Sequence, residues 1–183
     1  ARDLPASLPD FVQSYFRGVD ETDLRASEAA SLAASAASHH AFGAVRRASR
    51  TLVRVFNPSV EQHGWTSPRT VVEVVTDDMP FLVDSLAVVL SDSRLPIQLM
   101  IHPVLRIARD RRGKLLSMEE HDGALGTMES WQHVAVPRIG DPARHEALSQ
   151  NILRMLEDVR LAVSDWPAIR QRALDIARDV SAG

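Results

Sequence analysis

The spacing of hydrophobic positions changes twice along the chain, predicting helices at both ends and strands between them. In the first fifty residues, Phe11, Val12, Tyr15 and Phe16 recur at helical spacing after Pro9-Asp10, and Gly18 closes the segment. Asp20-Glu21-Thr22-Asp23 then places acids where a helix N-terminus favours them, and Arg46-Arg47 suits the opposite pole. Between them, Ser27 to Val45 is rich in Ala, and Leu32, Ala36, Phe42 and Val45 form only a thin apolar stripe. Such a helix is expected to lie on something else, including parts of a larger protein. The Ser and Ala content alternatively fits a flexible linker.

From residue 51 the period becomes that of strands. Thr51 to Phe56 is β-branched and aromatic and stops at Asn57-Pro58. A loop with Gly64, Trp65 and Pro68 leads to Thr70–Thr76, apolar on both alternating faces except for Glu73, as in the middle of a sheet. Asp77-Asp78 is expected to cap a helix with Pro80 in its first turn and Leu82, Leu86, Val89 and Leu90 on one face. Ile97 to Ala108 reads as the longest strand, with Ile97, Leu99, Ile101, Leu105 and Ile107 on one side and Gln98, His102 and Arg106 on the other. Pro103 inside it cannot donate to a ladder, which predicts an edge position or a bulge. Asp110 to Gly113 turns into Lys114–Met118, a hairpin partner, and Ser130–Val136 is a further strand.

The C-terminal third is helical. Leu148, Ile152, Met155, Leu156, Val159 and Val163 mark one face, Ser164-Asp165-Trp166-Pro167 is expected to break it, and Ile169, Ala173, Ile176 and Val180 continue a second helix. The segment from Thr70 to Val163 has β-α-β-β-α order, a ferredoxin-like α+β plan lacking its last strand. Thr51–Phe56 can fill the vacant place beside Thr70–Thr76. The expectation is a four-stranded antiparallel sheet with the Leu82 and Leu156 helices on one face. The expected divisions are a helical extension over 1–50, the α+β domain over 51–163 and a C-terminal helix over 164–183.

Composition narrows the chemistry. The chain has 183 residues, 21 Lys+Arg against 24 Asp+Glu, and no cysteine. The net charge of -3 lacks the broad basic field of a non-specific nucleic-acid binder, although a local patch remains compatible with it. Without cysteine there are no disulfides, thiolate nucleophiles or cysteine-ligated metals; this suits the cytosol without excluding other compartments. No apolar run approaches the roughly 18 residues of a membrane span. Because the chain opens on Ala1-Arg2-Asp3 with no apolar leader, it reads as a piece of a longer protein.

Several familiar constellations fail on spacing. No Gly-x-Gly or Gly-Lys-Ser/Thr occurs, so neither a Rossmann turn nor a P-loop is available. His39 and His40 are adjacent, about 100° apart on a helix, and are not expected to share a metal. His102, His133 and His145 read as structural singletons; an enzyme using His102, His133 and Glu73 across the sheet is a minor alternative. Gly123-Ala124-Leu125-Gly126 has the spacing of a KH-domain loop, but Glu119, Glu120 and Asp122 precede it, against a phosphate path. The stretch Asp77-Asp78-Met79-Pro80-Phe81 through Asp84 stands out, because a strand-to-helix turn offers free N–H groups to a small carboxylate ligand. The plainer alternative has Asp78 capping the helix while Phe81 packs on the sheet.

These residues also carry a family resemblance. Asn57-Pro58, His63-Gly64-Trp65, the run from Thr70 through Asp77-Asp78-Met79-Pro80-Phe81-Leu82-Val83-Asp84-Ser85, and Ile101-His102-Pro103-Val104-Leu105-Arg106 resemble the N-terminal region of the large NAD-specific glutamate dehydrogenases of bacteria. Arg109-Asp110 before Gly113, Glu129 to Val134, and Asp165-Trp166-Pro167 are similar as well. The resemblance implies an ACT-type module, with a ferredoxin-like fold, in a cytoplasmic parent enzyme that uses NAD to convert L-glutamate to 2-oxoglutarate and ammonia. It implies a non-catalytic regulatory or assembly role, with no cofactor of its own. Its partners would be other domains and subunits of a homo-oligomer and, at Asp77, Asp78, Met79, Pro80, Phe81 and Asp84, an amino-acid effector. One departure weakens that last expectation: Phe81 stands where the usual ACT loop has Gly after Pro. The reading from another class is a small ferredoxin-like or KH-like nucleic-acid-binding domain, which needs aromatics or arginines on an open sheet face.

Overall fold

The computed structural model describes residues 8–25, 28–119 and 126–182. Three helices come first, α1 (Leu8–Tyr15), α2 (Glu21–Arg25) and α3 (Ala29–Gly43). They are followed by β1 (Leu52–Phe56), the one-turn α4 (Val60–His63), β2 (Thr70–Asp77) and α5 (Leu82–Asp92). Then come β3 (Leu99–Ile101), β4 (Val104–Arg109), β5 (Leu115–Glu119), β6 (Thr127–Val136) and α6 (Pro142–Ala182). The short α4 occupies the expected loop: Ser59 caps it through Gln62 N–H, and Gly64 ends it in the left-handed conformation.

All strand pairings are antiparallel, in the order β1-β2-β6-β4-β5, with β3 also on β6. The order preserves the ferredoxin-like plan, with β1 in the place of the missing last strand, where Thr51–Phe56 was expected. The sheet has six strands, however, where four were expected. The β5 hairpin extends the sheet past β4, and the long strand is divided at His102-Pro103. β3 and β4 nevertheless follow one line along β6, Leu99 facing Ala135 and Val104 facing Ser130. Pro103 lacks the N–H that would continue the ladder, yet its carbonyl still accepts from Trp131 N–H at 3.0 Å.

Each sheet face carries its own core. Val72, Val74, Val134 and Val136 meet Leu82, Leu86 and Leu90 of α5 and Leu148, Ile152 and Leu156 of α6. Burying each such leucine contributes about 2 kcal/mol. The opposite face, with Val75, Ile101, Leu105, Ile107 and Trp131, is covered by Leu8, Phe11 and Tyr15 of α1 and Ala36 of α3. α1 and α3 therefore lie on this sheet, and α3 makes contact differently from the predicted stripe. Ser35, Ala36, His39, His40 and Gly43 are buried, while Val45 is exposed. Small residues and imidazoles at helical spacing let the helix approach closely, which a search for large apolar residues overlooks.

α6 runs unbroken over 41 residues, about 60 Å at 1.5 Å per residue. The break expected at Ser164–Pro167 is absent, because a proline removes one N–H and the flanking turns carry the helix through. Leu161 and Trp166 are exposed on this distal part.

Candidate functional site

The strand-to-helix turn after β2 differs from the expected cap. α5 begins at Leu82, and its N-cap is Phe81 at φ 70° and ψ 7°, with no side chain bonding the free amides. Neither Asp77 nor Asp78 caps the helix. Phe81 is 66% exposed and does not pack on the sheet. Its left-handed backbone is the conformation that favours glycine, so the departure at this position changes the side chain and keeps the turn. Asp78 is exposed, and its N–H donates to Met128 O at 2.9 Å. Met79 turns toward the α5/α6 core, whereas Pro80 and Asp84 are exposed. The turn thus divides the six candidate residues instead of gathering them.

Asp77 belongs to a buried charge cluster. Arg46, only 2% exposed, donates from Nη2 to Asp77 Oδ1 and to Glu129 Oε1, each at 2.7 Å, and from Nη1 to Arg50 O at 2.9 Å. Arg109 grips Glu129 with two bonds, Nε to Oε1 at 2.7 Å and Nη2 to Oε2 at 2.8 Å. Burial acts against the charge on Arg46, but Glu129 and Asp77 more than offset it and raise its pKa. Arg46 Nε remains buried without a partner. The cluster floors a cavity of about 610 Å³, with Asp78 and Arg111 exposed at its margin. The sequence hinted at this site only weakly. Glu129 shares the inward parity of Trp131 and His133, and that alternation marks an acid facing a core.

A second polar centre crosses the same face. Arg54 of β1 faces Glu73 of β2, which faces His133 of β6. Arg54 Nε donates to Glu73 Oε2 at 2.6 Å, and His133 Nδ1 lies 3.2 Å from Glu73 Oε1. His39 reaches this row from α3, its Nδ1 2.9 Å from Tyr15 Oη. Ligand atoms of His39, Glu73 and His133 all lie within 4.8 Å of one another. Burial lowers the pKa of His39 to about 4, despite the nearby Glu73 charge. Burial opposes ionisation of Glu73, but His39, His133 and Arg54 outweigh it and hold its carboxyl at about 2. Tyr15 is raised well above its usual value by burial and by Glu73.

Of the trio His102, His133 and Glu73, only the last two meet. His102 bonds Ser130 Oγ at 2.9 Å, and Ser130 points to the face opposite Trp131 and His133 because neighbours in a strand alternate. Burial lowers the His102 pKa, partly opposed by Asp78. His39 stands where His102 was expected. His40 points elsewhere, edge-on to Phe11 at 5.1 Å, so the adjacent pair does diverge. The Gly123–Leu125 part of the KH-like spacing lies outside the described residues. Helices pack on both faces of the central strands, while Leu116 of β5 stays exposed.

Comparison with known proteins agrees with this architecture. The family model described as "Glutamate dehydrogenase, ACT1 domain" matches residues 11–152, from α1 into α6. An NAD-specific glutamate dehydrogenase of Halomonas elongata is 40% identical over 124 residues, covering 66% of this chain. One from Pseudomonas aeruginosa is 33% identical over 126 residues, covering 68% of the chain. The matched region spans 8% of the length of each relative. With the match taking in both helical layers and the sheet between them, the chain belongs to the glutamate dehydrogenase ACT1 domain family.

Proposed function

We propose that this chain is a non-catalytic regulatory and assembly module of an NAD-dependent glutamate dehydrogenase. The parent enzyme converts L-glutamate to 2-oxoglutarate and ammonia in the cytoplasm, with its NAD site elsewhere. The observation carrying this reading is the family match over residues 11–152, set against relatives of which that region is a small fraction. Residues 51–163 form the α+β unit, residues 1–50 its helical extension, and the part of α6 beyond residue 163 the connector to a following module.

The effector reading centres on the cavity beside Asp77 and Asp78. An amino acid there meets a carboxylate for its ammonium group at Asp78 and a guanidinium for its carboxylate at Arg111, both exposed at the margin. Met79, Pro80, Phe81 and Asp84 are then the structural turn that holds Asp78 in place. Phe81 and Val88, exposed along α5, supply apolar area for neighbouring domains or a second subunit of a homo-oligomer.

The test is calorimetry of the full-length enzyme with L-amino acids, together with light scattering. The expected result is heat from at least one amino acid, lost in Asp78→Ala and Arg111→Ala, and an oligomer mass that falls in Val88→Asp. No heat from any amino acid and a monomer at every concentration would overturn both roles.

A further inference from the structure

We propose that His39, Glu73 and His133 form a binding site for one divalent transition-metal ion, with zinc the best match. The argument begins with donors. Two imidazoles and one carboxylate, brought from α3, β2 and β6, place ligand atoms within 4.8 Å of one another, all on buried residues. Zinc binds nitrogen and oxygen donors at about 2.0–2.2 Å, so these atoms need to close by roughly an ångström around the ion.

The surrounding bonds hold these groups in the manner of metal ligands. Tyr15 occupies His39 Nδ1, and Nε2 is buried without a side-chain partner. A buried imidazole nitrogen so weakly partnered is left poorly satisfied, and a metal ion would satisfy it. Arg54 anchors Glu73 Oε2 while Oε1 faces His133. Outer partners on a histidine and a carboxylate fix ligand orientation in metal sites. Arg54 itself is placed over the rings of Phe42 and Phe56, at 4.5 and 4.4 Å from their centroids, which holds its guanidinium on the Oε2 side of Glu73.

His133 forms part of the wall of a separate cavity of about 320 Å³ bounded by α3 and the Trp65–Arg69 loop. Water in this cavity supplies the remaining coordination position. The ion would join the N-terminal helical layer to the two central strands. This proposal does not depend on the dehydrogenase reading.

The full chain, stripped with chelator and reloaded with zinc, tests the site by metal content and hydrogen exchange. The expected result is one equivalent of zinc lost in His39→Asn and in His133→Asn, and unchanged content in His63→Asn. Tyr15→Phe keeps the ligands and is expected to weaken affinity about 10-fold. In the unsubstituted protein, zinc should slow exchange in α3 and β2. Equal zinc content in folded His39→Asn, His133→Asn and unsubstituted protein would overturn the proposal. Should the histidine variants fail to fold, unaltered exchange in α3 and β2 on adding zinc would overturn it as well.

Discussion

Arg46 and Glu129, 83 residues apart in sequence, meet in the interior with Arg46 Nη2 2.7 Å from Glu129 Oε1. Both are almost wholly buried. The pair ties the segment after α3 to the central strand β6, and Arg109 closes on the same carboxylate. Losing one member of such a pair leaves an uncompensated charge inside the protein. Glu129→Ala should therefore cost about 3–5 kcal/mol, measured as a lower urea midpoint. Arg46 and Arg109 both lean on Glu129, so the Arg46→Met and Arg109→Met losses should not add.

Gly43 gives a second prediction. At the end of α3 it lies flush against the indole of Trp131, so that a methyl group added there would overlap the six-membered ring. Alanine elsewhere in a helix gains up to about 1 kcal/mol over glycine. Here overpacking should reverse the sign, and Gly43→Ala should destabilise by about 1–3 kcal/mol. Near-ultraviolet circular dichroism of Trp131 would report the displacement directly. A gain in stability would mean that α3 rides higher on the sheet than described.

How far the sequence reveals the molecule depends on how local each feature is. The Thr70–Thr76 strand and the Leu82 helix were legible because period and apolar content dictate them, and the place of β1 beside β2 followed from the vacant position in the β-α-β-β-α order. The docking of α3 was not, since Ala36, His39 and Gly43 register as weak positions until Trp131 lies opposite. The left-handed Phe81 was equally hidden, because a phenylalanine seldom adopts that conformation. Glu73 was visible as the one polar residue in an apolar strand. His133 was already grouped with it across the sheet, whereas Arg54 could be found only from the strand register, and His39 only once α3 was placed on the sheet.

Acid should weaken the fold in two successive windows, measured in chelator by urea unfolding. His39 titrates near 4 when folded, against 6.5 when unfolded, so the unfolded chain takes up the proton first. Its contribution is complete above 6.5 and declines as pH falls toward 4. Glu73, held at about 2 against 4.5, contributes fully above 4.5 and loses that contribution as pH falls toward 2. His39→Asn should flatten the upper window and Glu73→Gln the lower. Tyr15 acts in the opposite direction. Its raised pKa keeps the phenol protonated in the folded state, so stability should fall as pH rises above 10.

The exposed Phe81 separates backbone strain from surface function. A residue with a Cβ in the left-handed region costs about 1–2 kcal/mol relative to its preferred conformations, and glycine avoids that cost. With 66% of Phe81 exposed, removing the ring forfeits little burial. The greater freedom of glycine in the unfolded chain takes back part of the gain. Phe81→Gly should therefore raise stability by about 1 kcal/mol, or roughly 2–4 °C in melting temperature for a chain of this size. Phe81→Ala keeps the Cβ strain while removing the same ring, so it should show no such gain. If the ring serves as a contact in the assembled enzyme, both variants should weaken subunit association by light scattering while only Phe81→Gly stabilises the fold. Equal stability changes in the two variants would place the effect in the ring's contacts instead of the backbone.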